Sequence, residues 1–331
     1  MGFRDLFRGK AAVEARDFNL KELTPELEAL MTLGPTASGV KISEANALTI
    51  TAVYAAVTVI SESIAQLPLN LFRRLDGGGK VPALQHPLFQ ILRNRPNPEM
   101  TPFEFWQFML ASALINGNGY AQIQMTNGGD VANLWPLKPD QVVITRIGKG
   151  SEREGQLFYT LNGAGTTTGK PRGFFQEEIM HLRGLSRDGV KGLSPISEAR
   201  ETLGLTKAME QFDARFFGNG ALSTVVLTHP QKLTKENKEN ILETWNEAHQ
   251  GVNKSNKPSI ASGGADVKNI GFNPEDSQLL ESRKFQVGEV ARIYKIPPHK
   301  LGDLERATFS NVEQQELNYI SQTLQPWITR C

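Results

Sequence analysis

The chain has 331 residues, 39% of them hydrophobic, which is enough for a substantial core and long enough for two or more compact units. Lys and Arg number 36 against 35 Asp and Glu, a formal charge of +1, so bulk electrostatics points to no partner and disfavours a sequence-specific DNA binder. The one cysteine, Cys331, excludes an internal disulfide framework and a cysteine-rich zinc site. The apolar run from Ala52 to Ile60, broken by Thr58, falls well short of the roughly 20 residues of a membrane span. The opening Met1 to Leu6 contains Asp5 and no apolar stretch, so a cytosolic product without a targeting peptide is expected.

Residues 1–40 mix charges with Gly34, Pro35 and Gly39 and are expected to form a flexible arm, with one short helix start at Thr24-Pro25-Glu26. From Leu48 to Leu67 the positions Val53, Val57, Ile60, Ile64 and Leu67 recur at helical spacing until Pro68, and Leu69 to Phe72 reads as a strand. Thr101-Pro102-Phe103-Glu104 supplies an N-cap, an N1 proline and a capping glutamate for a helix with Phe105, Phe108, Met109 and Leu110 on its apolar face. That helix should stop near Gly117-Asn118-Gly119. Tyr120 to Met125, Gln141 to Ile147 and Leu157 to Leu161 then read as strands between turn-rich segments, so the first half is α+β with antiparallel hairpins.

In the second half, Ser194 caps a helix predicted to run through Leu203, Ala208, Met209 and Phe212 to Phe217, with Gly218-Asn219-Gly220 ending it. A small α/β module follows: a β-branched run from Ser223 to Thr228, a helix capped by Thr234 with Ile241, Leu242 and Trp245, and a strand from Pro258 to Ala261. Asn273-Pro274-Glu275-Asp276 opens a second long helix to Lys295, about 33 Å at 1.5 Å per residue. A last helix is predicted from Ser310, with Glu313 completing a capping box and Leu317, Ile320 and Leu324 as its apolar stripe. Lys300 to Phe309 is the loop between them.

Gly-x-x-x-x-Gly-Lys-Ser/Thr occurs nowhere, and the two Gly-Asn-Gly triplets read as helix caps or turns rather than phosphate cradles. His86, His181, His229, His249 and His299 lack metal-ligand spacing, with His86 and His299 assigned to local turns beside prolines. No cofactor, metal or paired-acid signature is called for. Phe212, Phe216 and Phe217 are read as helix packing or a subunit interface rather than a stacking platform. Glu275, Asp276, Glu281 and Glu289 balance Arg283, Lys284, Arg292 and Lys295 along the second long helix, as a solvated face or as ion pairs between subunits.

Five segments, in order, resemble tailed-phage portal proteins, in particular those of long-tailed siphophages. They are Ala56 to Phe72 with Ile64-Ala65-Gln66-Leu67-Pro68-Leu69, His86 to Pro98, Gly117 to Ala121 followed by Leu134-Trp135-Pro136-Leu137, Phe216 to Ala221, and Ile293 to Gly302 with Ser310 to Gln315. The resemblance implies a portal fold: wing 41–193, first stem helix 194–220, clip 221–272, second stem helix 273–297, tunnel loop 298–309, and a tunnel helix 310–331 leading toward a crown. The crown is not represented, so a truncated or processed chain is expected.

The function implied is structural and non-enzymatic: a dodecameric ring at the capsid vertex of the virion, assembled in the host cytoplasm, through which double-stranded DNA passes during packaging and ejection. Implied partners are other copies of the chain, the terminase large subunit, a head-tail adaptor, the major capsid protein and scaffold, and DNA read without sequence specificity; no membrane is involved. Lys300, Arg306, Thr308 and Ser310 are the expected DNA-facing side chains and Gly302 the hinge, while Lys232, Lys235, Lys238, Trp245 and Lys254 are the expected partner surface of the clip. Near-neutral stem helices suit a channel, because each tight phosphate contact would retard sliding. Two other readings stay open: a different virion structural protein such as an adaptor, and a metal-dependent nuclease without a recognised motif. Val290→Asp separates two packings of the long helices: unfolding if they pair within one chain, folded monomers if they meet only between subunits.

Overall fold

The computed structural model describes residues 36–163, 169–218, 225–228, 234–240, 243, 266–269, 276–303 and 309–331. Of the arm expected over residues 1–40, residues 1–35 lie outside these residues, as do the second Gly-Asn-Gly triplet beyond Gly218, Ile241, Leu242 and Trp245, the strand at 258–261 and the Asn273 cap.

A short helix α1 (Glu44–Ala47) leads into α2 (Thr51–Ala65). Val53, Val57, Ile60 and Ile64 fall on one side of α2 and are buried, whereas Leu67, beyond the helix end, is exposed. The strand expected at 69–72 is displaced to β1 (Phe72–Arg74), which pairs with β2 (Lys80–Pro82) in an antiparallel ribbon of two strands. After α3 (Pro87–Arg93), capped through His86 Nδ1, comes α4 (Pro102–Asn116). Its start matches the sequence: Glu104 N–H donates to Thr101 Oγ1 at 3.3 Å and Thr101 N–H donates back to the Glu104 carboxylate at 2.7 Å. Phe105, Met109, Leu110 and Ala113 on α4 are fully buried in the core that α2 shares.

The strands β3 (Asn118–Met125), β4 (Val131–Leu137), β5 (Val142–Arg146), β6 (Leu157–Leu161), β7 (Arg172–Phe175) and β8 (Ile179–Arg183) form two antiparallel sheets, ordered β4-β3-β8 and β5-β6-β7. Tyr120, Val142, Tyr159, Leu161, Phe174 and Ile179 make a second core from both sheets. β4, β7 and β8 were not anticipated. Pro136 speaks against a strand, but β4 is an edge strand and tolerates a missing ladder donor. β7 and β8 are short and separated only by the 3₁₀ turn Gln176–Glu178, which leaves no turn-rich gap to mark them.

The helix predicted from Ser194 is broken. Ser194 caps α5 (Pro195–Glu198), and Ala199 leaves helical geometry at φ −98°, ψ 13° before α6 (Arg200–Gly218). β9 (Val225–Thr228) pairs antiparallel with β10 (Asp266–Asn269). Then α7 (Asp276–Tyr294) packs on α6. Leu203 and Val290 are fully buried, and Thr206 Oγ1 donates to Gln286 Oε1 at 2.6 Å inside the contact. Buried Asp213 on α6 lies 3.6 Å from the Arg283 guanidinium on α7. Val290 therefore belongs to the core of one chain, and Val290→Asp should unfold it by burying an unpaired charge.

The last helix begins at Phe309 as α8 (Phe309–Asn318), widens into a π turn at Tyr319–Leu324 and ends as α9 (Gln325–Arg330). The π turn resets the inward face: Tyr319, Thr323 and Leu324 are buried, while Leu317 and Ile320 of the predicted stripe are exposed. Among the described residues, no helix is long and apolar enough to cross a membrane.

Candidate functional site

α7 ends in a Schellman motif. Ile296 N–H donates to the Ala291 carbonyl at 2.9 Å and Lys295 N–H to that of Arg292 at 3.2 Å. The motif needs a left-handed residue, and Lys295 takes it at φ 54°, the one non-glycine residue with positive φ among those described. A side chain there costs about 1–2 kcal/mol. Thr323, in the π turn, donates its hydroxyl to the Lys295 carbonyl, so the wide turn of the last helix is bonded to the strained end of α7.

Pro297 then redirects the chain into the 3₁₀ turn Pro298–Leu301, closed by Gly302 at φ 88°. The turn is clamped to the last helix. His299 Nε2 donates to Glu316 Oε1 at 2.9 Å and its Nδ1 lies 2.7 Å from the Gln315 side-chain oxygen. Lys300 Nζ reaches the same Glu316 oxygen at 2.7 Å and stands 5.3 Å above the Tyr319 ring. Burial raises the Glu316 carboxyl, but the hydrogen bonds and charges of Lys300 and His299 outweigh it and leave the group below the usual carboxylate range. Burial pushes the Tyr319 phenol up, and its hydroxyl donates to Ser63 on α2 at 3.2 Å. The entry and exit of the segment 303–309 are thus held together by one carboxylate and anchored to α2.

A second polar cluster joins the β3 sheet to the start of α5. Gly117, the left-handed C-cap of α4 at φ 75°, approaches Leu193 so closely that a Cβ would collide with its carbonyl oxygen. Asn118 Oδ1 accepts from Gly192 N–H at 2.7 Å, and Asn118 Nδ2 donates to the Gly192 carbonyl at 2.9 Å. Since Oδ1 is an acceptor, His181 Nε2, 3.0 Å away, carries a proton and donates, and His181 Nδ1 accepts from the Tyr159 hydroxyl at 3.2 Å. Burial first, and then the Arg183 charge, lower the His181 imidazole to about 4. Neutral His181 under the Tyr120 ring, centroids 4.4 Å apart, is a structural tie.

Of the expected DNA-facing residues, Lys300 lies in the clamped turn, which the expected hinge Gly302 closes. Ser310 lies within α8, and Arg306 and Thr308 lie outside the described residues. On the expected clip surface Lys235 and Lys238 are exposed on a helical turn where Asn237 N–H donates to Thr234 Oγ1 at 3.3 Å, and Lys235 is 3.9 Å from Glu239. Lys232, Trp245 and Lys254 are outside the described residues. Among the described residues no three His, Cys, Asp or Glu side chains are placed to hold a metal.

A family model described as "Phage portal protein" matches residues 51–331. The chain belongs to the phage portal protein family. It is 36% identical over 294 residues to the portal protein of Enterobacteria phage HK97, a match taking in 87% of this chain and 66% of that protein. The chain thus spans about two thirds of the length of this portal relative. The crystal structure of an HK97-family phage portal protein from Corynebacterium diphtheriae superposes with a TM-score of 0.62 at 19% identity, over 90% of this chain and 89% of that one. A chain in the neck of a native gene transfer agent particle, computed with C12 symmetry, gives a TM-score of 0.56 at 21% identity, over 90% of this chain and 78% of that one. These two likenesses establish the portal fold.

Sequence reasoning missed Glu316 as the group that ties the Pro298–Leu301 turn to the last helix and assigned His299 to its own turn. The signal available was Gln315-Glu316, polar positions inside a helix expected to present only its apolar stripe inward. Thr323 and the Lys295 backbone carry no sequence pattern of their own.

Proposed function

We propose that the chain is the repeating, non-catalytic subunit of a portal ring at the capsid vertex, a channel for double-stranded DNA entering and leaving the head. The observation that carries this is family membership across residues 51–331. In this reading the sheets and α2–α4 form the wing, α6 and α7 the stem, the β9–β10 segment the clip, and residues 298–309 the tunnel loop. That the neck of a related particle is computed with C12 symmetry supports twelve subunits.

The stem offers neighbours an apolar surface: Phe212 on α6 is 57% and Phe285 on α7 58% exposed, with Leu205 one stretch earlier on α6 also exposed. Cyclic heterologous contacts through such side chains close rings. Arg306, Thr308 and Ser310 face the duplex, joined by Lys300 once it leaves Glu316, with Gly302 as hinge. The terminase large subunit and then the head-tail adaptor use the clip surface, Lys232, Lys235, Lys238, Trp245 and Lys254, while the capsid protein and scaffold meet the wing.

The test is the pair Phe285→Ser and Val290→Asp, followed by sedimentation and circular dichroism. Phe285→Ser should yield folded chains that no longer assemble, and Val290→Asp chains that do not fold. Unchanged assembly of Phe285→Ser together with Phe212→Ser would remove this interface from the account.

A further inference from the structure

The β1–β2 ribbon combines two features that weaken a sheet. Between Gln66 and Pro96 the sequence carries five basic residues, Arg73, Arg74, Lys80, Arg93 and Arg95, and one acid, Asp76, so the rest of a chain of formal charge +1 carries −3. All five cations are exposed, and none is in an ion pair among the described residues. The pairing register sets Arg74 directly opposite Lys80, a like-charge cross-strand pair that destabilises a sheet. Two strands alone are marginal in water, and among the described residues this ribbon has no third strand.

The alternation of strand side chains puts Phe72, Arg74, Lys80 and Pro82 on one face, where the Lys80 ammonium lies 4.6 Å from the centre of the Phe72 ring. Phe72 is 45% exposed, and Leu75, one residue past β1, and Leu84, two past β2, are exposed as well. β2 ends at Pro82, which has no N–H, so β1 is the edge suited to take another strand.

We infer that this ribbon is a docking edge for an acidic, extended segment of another protein, one that alternates carboxylates with apolar side chains and adds to β1 as a strand. Carboxylates on the face of Arg74 and Lys80 would relieve their repulsion, and the apolar residues, on the opposite face, would cover Leu75. Duplex DNA meets only the first need: phosphates would pair with the cations and leave Leu75, which offers no stacking surface, in water.

The experiment measures binding of the full chain to three fluorescent probes by anisotropy at about 0.1 M salt, where exposed charges are screened beyond roughly 10 Å. The probes are a short peptide of alternating Val and Glu, its Ser-Glu counterpart of equal charge, and a short DNA duplex. The Val-Glu peptide should bind at least about tenfold more tightly than the Ser-Glu one, a difference of about 1.4 kcal/mol. Arg73→Gln/Arg74→Gln should abolish that binding with the circular dichroism spectrum unchanged, and Leu75→Ser should remove the discrimination between the peptides. Equal binding of the two peptides, peptide binding indifferent to Arg73→Gln/Arg74→Gln, or duplex binding lost through the same variant would each overturn the assignment. Loss of self-association in that variant without peptide binding would do the same, by placing a second copy on the ribbon.

Discussion

Gly192 is joined to Asn118 twice, once as donor to its side-chain oxygen at 2.7 Å and once as acceptor from its side-chain nitrogen at 2.9 Å. These bonds fix the residue that precedes Leu193 and the Ser194 cap, and so set where α5 and α6 leave the sheet region. Asn118→Leu removes both and strands a buried N–H and a buried carbonyl, in addition to the acceptor of His181. The expected loss is about 2–4 kcal/mol, read from denaturant unfolding. A loss under about 0.5 kcal/mol, the scale of ordinary surface changes, would show that the cluster does not hold the junction.

The same cluster predicts a pH dependence. The His181 imidazole is held at about 4 in the folded chain, against an ordinary 6.5. Between these values the unfolded state binds the proton and the folded state does not. The contribution is therefore complete above about pH 6.5 and is lost as the pH falls toward 4, up to about 3 kcal/mol in all. Unfolding midpoints at pH 7 and pH 5 should differ in the wild type, and His181→Gln should shrink the difference.

Lys295 occupies a backbone conformation that favours glycine. Lys295→Gly should be neutral or stabilising by up to about 1 kcal/mol, and Lys295→Val destabilising by about 1–2 kcal/mol. Denaturation of the two variants in parallel checks this; equal stabilities would mean that the left-handed turn is not retained in solution.

Glu316 holds Lys300 and His299 to the last helix. Because its carboxyl is depressed in the folded chain, the clamp contributes above the ordinary carboxylate range and is lost as the pH falls through the folded value. Glu316→Gln should cost no more than about 1 kcal/mol, since the pair is partly exposed. It should also release the Lys300 ammonium, steepening the salt dependence of duplex DNA binding by about one counterion. An unchanged salt slope would remove Lys300 from the DNA-facing set.

Much of this was legible in the sequence because it rests on local rules. The Thr101-Pro102-x-Glu104 cap, the α2 spacing and the stop at Gly117 are each decided within a few residues, and the structure agrees with them. The failures have tertiary causes. β4 contains a proline that only an edge position tolerates; Ala199 breaks a helix whose first turn, α5, is bonded separately, Ser194 Oγ lying 2.9 Å from Glu44 and from the Ile115 carbonyl. The stripe of the last helix is rotated by a π turn bonded to Lys295. The clamp is the same kind of case: His299 and Glu316 are 17 residues apart and acquire meaning only once the chain folds back.

The ring itself is the claim on which the rest depends, and particle mass with negative-stain images of the purified chain tests it most directly. The account predicts closed rings of a single symmetry with a central hole wide enough for duplex DNA. A monodisperse monomer across the accessible concentration range would contradict it.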